Sequence, residues 1–269
     1  MIRLLRANFA RIWKTKVLWV CMACTLALKL VNTISTLTSN DKWWEHTGDL
    51  FLKDATNPLL FAAIFGAIYI GAEYSGGAVR NKLIVGYTRT QIYLSNLAAV
   101  SFGFVMMNAV QWIPDAVLAC YGSDLGMTAE ELAFGMFIVI CSYIAAAGIY
   151  MLPAMLITRK STGVAAAVIS SFALIYICFG ISDALYEPEY FIDLDEENGI
   201  ERTIPNSGYV SGAKRDILTA INDIVPMGQM IQTEDGELHR PELMPFYSFG
   251  VLTVTTAIGT VVFRRKDLK

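Results

Sequence analysis

The residues of this chain that could do chemistry are few, and most of them sit in apolar surroundings. Lys29 and Asn32 lie one turn apart in one apolar stretch, while Asn108, Gln111 and Asp115 recur about one turn apart in another, beside Pro114. Asp183 stands near the end of a third. Polar groups are costly in hydrocarbon, so each requires a partner or a water-filled space. Two readings fit. These side chains line a polar pathway between helices, or they form a structural network in which Lys29 pairs with Asp115 or Asp183 and the amides bond between helices.

Catalytic and metal chemistry is poorly served. Gly76-Gly77 lacks the lysine and the preceding strand of a phosphate-binding loop, so ATP binding by that route is not expected. The two histidines, His46 and His239, form no His-Glu-x-x-His, which argues against zinc hydrolysis and Ser-His-Asp catalysis. Cys21-x-x-Cys24 falls inside an apolar run with no second pair and reads as packing; all five cysteines lie in or beside such runs. Asp193, Asp195 and Glu197 start like a calcium loop, but Asn198 takes the glycine position and Ile204 that of the bidentate glutamate. A solvated acidic loop is expected there. The chain is therefore expected to be no enzyme, with no catalytic, cofactor-binding or metal-ligating set of its own.

The elements that position these residues follow from composition. Of 269 residues 55% are hydrophobic and only 17% are charged, against roughly 25% charged in an average soluble domain. Mean hydropathy is +0.47. That balance, with long uncharged runs, predicts an all-α polytopic membrane protein and leaves no room for a second large domain. Six spans are expected, at Val17–Leu37, Pro58–Tyr74, Ile92–Tyr121, Leu132–Thr158, Gly163–Leu185 and Met244–Phe263. The third is longer than a bilayer needs, which suggests tilt or a break near Pro114. No cleavable signal peptide is expected, since the first apolar run has no small-residue cleavage site and leads into further spans.

Charge sets the orientation. The N-terminus, the loops after spans two and four and the C-terminus hold 14 basic residues against two acids, Glu73 and Asp267, while the rest of the chain holds 7 basic residues and 22 acids. Both termini are thus expected in the cytoplasm. Residues 1–16 carry Ile2, Leu5, Phe9, Ile12 and Trp13 on one stripe and read as an interfacial helix. In the loop at 75–91, Ser75-Gly76-Gly77 ends span two, Ala78–Val85 reads as a short helix closed by Gly86, and Thr88 with Gln91 forms a capping box. Thr128 with Glu131 forms a second one on the other side. The stretch 186–243 carries a net charge of −9 and is expected outside, with an amphipathic helix through Ile217, Leu218, Ile221, Ile224 and Val225 that stops before Pro226.

The most specific motif is Gly71-Ala72-Glu73-Tyr74-Ser75-Gly76-Gly77-Ala78-Val79-Arg80-Asn81-Lys82-Leu83, followed by Gly86-Tyr87-Thr88-Arg89. With the basic amphipathic start, the six spans, the external insertion and the ending Phe263-Arg264-Arg265-Lys266-Asp267, the chain resembles the transmembrane subunit of an ATP-binding-cassette transporter of the type-2 export permease family. The resemblance covers nearly the whole of residues 1–269, as one permease domain. In that family a glutamate at the end of the second span leads into an intracellular coupling helix and a Gly-x-x-Arg turn, and Glu73, Arg80, Gly86 and Arg89 stand at those places. The resemblance implies that Glu73, Arg80, Lys82, Gly86 and Arg89 couple the chain to a separate ATPase subunit, which binds ATP and Mg²⁺. It implies a second permease chain, identical or not, in the plasma membrane of a bacterium, with no nucleic-acid partner. Cargo there includes peptides, lipid-like compounds and antimicrobials. The competing reading is a self-contained ion channel or secondary carrier that uses Lys29, Asp115 and Asp183 as a relay, against which stands the lack of inverted repeats and paired broken helices.

Overall fold

A computed structural model describes residues 1–38, 46–120, 125–157, 159–195 and 200–266. Parts of several expected features, the span ends at Tyr121 and Thr158, Glu197 and Asn198 of the acidic loop, and Asp267 and Lys269 of the basic tail, lie outside the described residues. The fold is all-α and of the multi-pass membrane kind: six of its helices are long and apolar enough to cross a bilayer. These are α2 (Lys16–Thr38), α4 (Pro58–Ser75), α6 (Arg89–Cys120), α7 (Ala129–Leu156), α8 (Lys160–Tyr186) and α11 (Met244–Arg265). α6 runs through Pro114 as a single helix.

Shorter elements join them. α1 (Ile2–Lys14) precedes α2, α3 (Thr47–Leu52) lies between α2 and α4, and α5 (Ala78–Ile84) lies between α4 and α6. After α8 come a two-stranded antiparallel hairpin, β1 (Tyr190–Asp195) with β2 (Ile200–Pro205), then α9 (Gly212–Ile224) and α10 (Pro226–Asp235). The bundle core is built from α4, α6 and α7, whose fully buried Phe65, Tyr69, Tyr93, Phe104 and Tyr143 interlock.

The helix starts behave as their sequences require. Thr128 Oγ1 accepts from Glu131 N while the Glu131 carboxylate accepts from Thr128 N at 2.8 Å. Thr88 N donates to the Gln91 side chain at 3.1 Å and Gln91 N to Thr88 Oγ1 at 3.2 Å, so α6 begins at Arg89. Gly77 and Gly86, at φ +66° and +98°, bracket α5 in a backbone region that other residues enter at a cost. α9 departs from the usual amphipathic arrangement, because Ile217, Ile221 and Ile224 face outward while Asn222 and Asp223 are buried. α9 ends at Ile224, before Pro226 as expected, and a separate helix, α10, then opens with Pro226 as its first-turn proline.

Candidate functional site

Two polar clusters occupy opposite ends of the bundle. At the end where α1, α5 and the close of α11 meet, Glu73 has no exposed surface. Its carboxylate accepts from Arg11 Nη1 at 2.5 Å, from Asn96 Nδ2 at 2.5 Å and from Lys82 Nζ. Asn8, also buried, donates to Asn96 Oδ1 at 2.8 Å and accepts from Lys82 Nζ at 3.0 Å. Arg11 lies 3.8 Å over the Tyr69 ring, and the Tyr69 hydroxyl donates to Asn8 O at 3.2 Å. One carboxylate thus joins α1, α4, α5 and α6. Burial pushes the Lys82 ammonium below its ordinary value, against the opposing pull of Glu73.

Two of the residues expected to face a partner are therefore turned inward. Glu73 and Lys82 tie α5 to the bundle, whereas Arg80, Ile84 and Val85 project from it, the last two at 76% and 74% exposure. Arg89 donates to the carbonyls of Phe263 and Arg264 at 3.0 Å and to that of Lys266, closing the end of α11. Beside it Lys266 Nζ donates to Met155 O at 2.7 Å and lies over the Tyr74 ring at 4.2 Å.

At the opposite end Lys29 is buried between two carboxylates. Its ammonium is 3.3 Å from Asp115 Oδ2 and 3.4 Å from Asp54 Oδ2, and it donates to Leu50 O at 2.7 Å. Asn32 Nδ2 donates to Asp54 Oδ1 at 3.1 Å. Of the two partners expected for Lys29, Asp115 is brought to it and Asp183, which is exposed on α8, is not. Asn108 and Gln111 bond to each other at 2.9 Å. Asp54, missed by sequence reasoning because it reads as a loop residue, adopts φ +64°, a conformation that aspartate tolerates better than most side chains.

The segment that carries Asp54 is held from every side. Trp112 Nε1 donates to Phe51 O at 3.0 Å, and the Tyr143 hydroxyl donates to Ala55 O at 2.8 Å. From α10, Glu234 accepts Thr56 N and Thr56 Oγ1, each at 2.9 Å. Glu234, Asp235, Asp49, Asp54, Lys53 and Thr56 share the wall of a cavity of about 650 Å³ with apolar Met127 and Phe179. Enclosure of the Glu234 carboxyl raises its pKa to about 7 even though Thr56 favours the charged form. The arrangement places an acid-rich vestibule against the buried Lys29–Asp115 pair, with part-buried Asp54 belonging to both. No set of three or more His, Cys, Asp or Glu residues placed to hold a metal ion occurs among the described residues. Comparison of the chain with known protein families and with characterised proteins finds no match to either.

Proposed function

We propose that this chain is the membrane-spanning subunit of an ATP-binding-cassette export system, coupled through α5 to a separate ATPase subunit. The observation that carries the reading is the division of α5: Lys82 is anchored on buried Glu73, while Arg80, Ile84 and Val85 are presented outward. A short helix that is free to receive a partner on one face and is ion-paired to four-helix packing on the other can pass a push into the spans. ATP and Mg²⁺ belong to the partner in this reading. Two permease chains and two ATPases form the unit, with both termini cytoplasmic in a bacterial plasma membrane, and the cargo class is peptide-related or lipid-like. The acidic vestibule and the triad at the other end then lie on the exit side.

The test is whether the tagged chain, purified from its native membrane, retains an ATPase subunit. Retention of an ATPase by the wild type, and its loss in Ile84→Asp/Val85→Asp at normal abundance, supports the reading. A chain that never retains one counts against it. The rival reading, a channel or carrier built on Lys29, Asp54 and Asp115, predicts ion flux in vesicles that hold this chain alone.

A further inference from the structure

Where α4 and α8 pack together at the basic end, they leave an open groove of about 770 Å³ lined by Ile68 and Ser75 of α4 and by Arg159, Lys160, Ser161 and Val164. The lining is graded along the helices. Ser75, Arg159, Lys160 and Ser161 lie at the helix ends, while Val164 and Ile68 sit about 6 and 10 Å deeper at 1.5 Å per residue. Arg159 occupies the N-cap of α8 without a side-chain capping bond, so the first amides of α8 face this rim uncapped by it, and the helix dipole adds positive potential. Lys160 is seated by a close approach: a side chain at Gly71 would meet its Cα, Cβ and Cγ at 3.2 Å. The base of its stem thereby lies against α4, and Lys160 itself lines the groove.

The groove lies open at the surface of the bundle: Arg159, Lys160 and Ser161 are exposed, and Ile68 and Val164 are only partly buried. The acid at this end among the described residues, Glu73, is enclosed by Arg11, Lys82 and Asn96 and does not neutralise the rim. A positive, donor-rich rim above an apolar floor that faces hydrocarbon matches one kind of occupant. We propose that this groove binds an anionic phospholipid, with its phosphate at Arg159, Lys160 and the start of α8 and an acyl chain along Val164 and Ile68. This site is independent of the transport reading.

The full chain, purified in detergent, is titrated with phosphatidylglycerol and with phosphatidylcholine of the same acyl chains, and bound lipid is counted by native mass spectrometry. Wild type is expected to retain the anionic lipid preferentially. Arg159→Gln/Lys160→Gln should weaken that binding roughly tenfold or more, given the attraction of each basic side chain for anionic lipid. Arg3→Gln/Arg6→Gln, which removes the same charge from exposed positions on α1, should leave it unchanged. Val164→Trp keeps every charge but fills the floor, and should also weaken it. Equal retention of both lipids by wild type overturns the proposal. So does wild-type binding in Arg159→Gln/Lys160→Gln or in Val164→Trp, or displacement of the lipid by inorganic phosphate, which would mark a soluble-anion site. Should the double variant fail to fold, Val164→Trp and the phosphate competition still decide.

Discussion

Lys82 of the short helix α5 and Glu73 of span α4 form an ion pair in which the carboxylate is wholly buried and Arg11 is a second cation on the same oxygen. The three groups are not equivalent. Removing Lys82 leaves Glu73 still held by Arg11 and Asn96, whereas removing the charge of Glu73 leaves two cations without a counter-charge.

Glu73→Gln is therefore expected to cost more than Lys82→Met. A buried pair broken on one side loses about 3 to 5 kcal/mol, and the half-exposed Arg11 should hold the loss to the lower part of that range. Thermal unfolding in detergent measures it. Equal melting temperatures for the two variants would show that the node does not act as a charge-balanced unit.

The triad at the other end obeys the same logic with the signs reversed. Lys29→Met leaves Asp54 and Asp115 facing each other, Asp115→Asn leaves Lys29 with Asp54, and the double variant leaves one carboxylate. Stability should fall most for Lys29→Met, by about 3 to 5 kcal/mol, and least for Asp115→Asn, with the double variant between them. A double-mutant cycle reads the coupling directly. Additive losses would remove the pair from the account.

Several of these features were legible in the sequence because their signals are local. Span length, the Thr88/Gln91 and Thr128/Glu131 boxes and the glycine that ends α5 are each written within a few residues, and all appear as read. Pairing between distant elements was legible only where charges stand inside apolar runs, as for Lys29 and Asp115; it was not for Arg11 and Glu73, 62 residues apart, or for Glu234, 178 from Thr56. α10 was hidden by its polar residues. Gln229 looks like a loop residue, yet it is buried and bonded to Ser142, Ser248 and two backbone carbonyls. The hairpin did leave a trace, the alternation in Ile192-Asp193-Leu194-Asp195, which the acidic composition of the segment obscured.

Orientation is tested by labelling. In a background with the five native cysteines replaced, a cysteine at exposed Ser211 should react with an impermeant thiol reagent added outside intact cells, and one at exposed Ser75 should not. The opposite pattern would place α5 outside the cell and overturn the proposal that it docks an ATPase.

Glu234 should give the chain a pH-dependent stability. Its folded-state pKa is raised from 4.5 to about 7, so the folded chain binds the extra proton between those values. The contribution is then fully present below about pH 4.5 and is lost as pH rises through 7. Glu234→Gln keeps an acceptor for Thr56 but cannot ionise. Melting curves across that range should slope downward with pH for the wild type and be flatter for the variant, and identical slopes would contradict the assignment.

Two arginines that the sequence treats alike, Arg80 and Arg89, take different places in the fold. Arg80 is exposed on α5, whereas Arg89 is bound to three carbonyls at the end of α11. Arg80→Glu reverses the charge of an outward side chain and disturbs no internal bond. It should leave abundance and melting temperature unchanged and weaken ATPase co-purification. Arg89→Glu turns a donor into an anion against carbonyl oxygens at the negative end of α11, so it should release that helix end as well as weaken the association. Loss of hydrogen bonds from a charged donor, at about 1.5 to 3 kcal/mol, should lower its melting temperature. If both variants co-purify the ATPase as the wild type does, α5 is not the docking element. If instead only Arg89→Glu fails, and fails with its stability, the arginine closes α11 and docking rests on other residues.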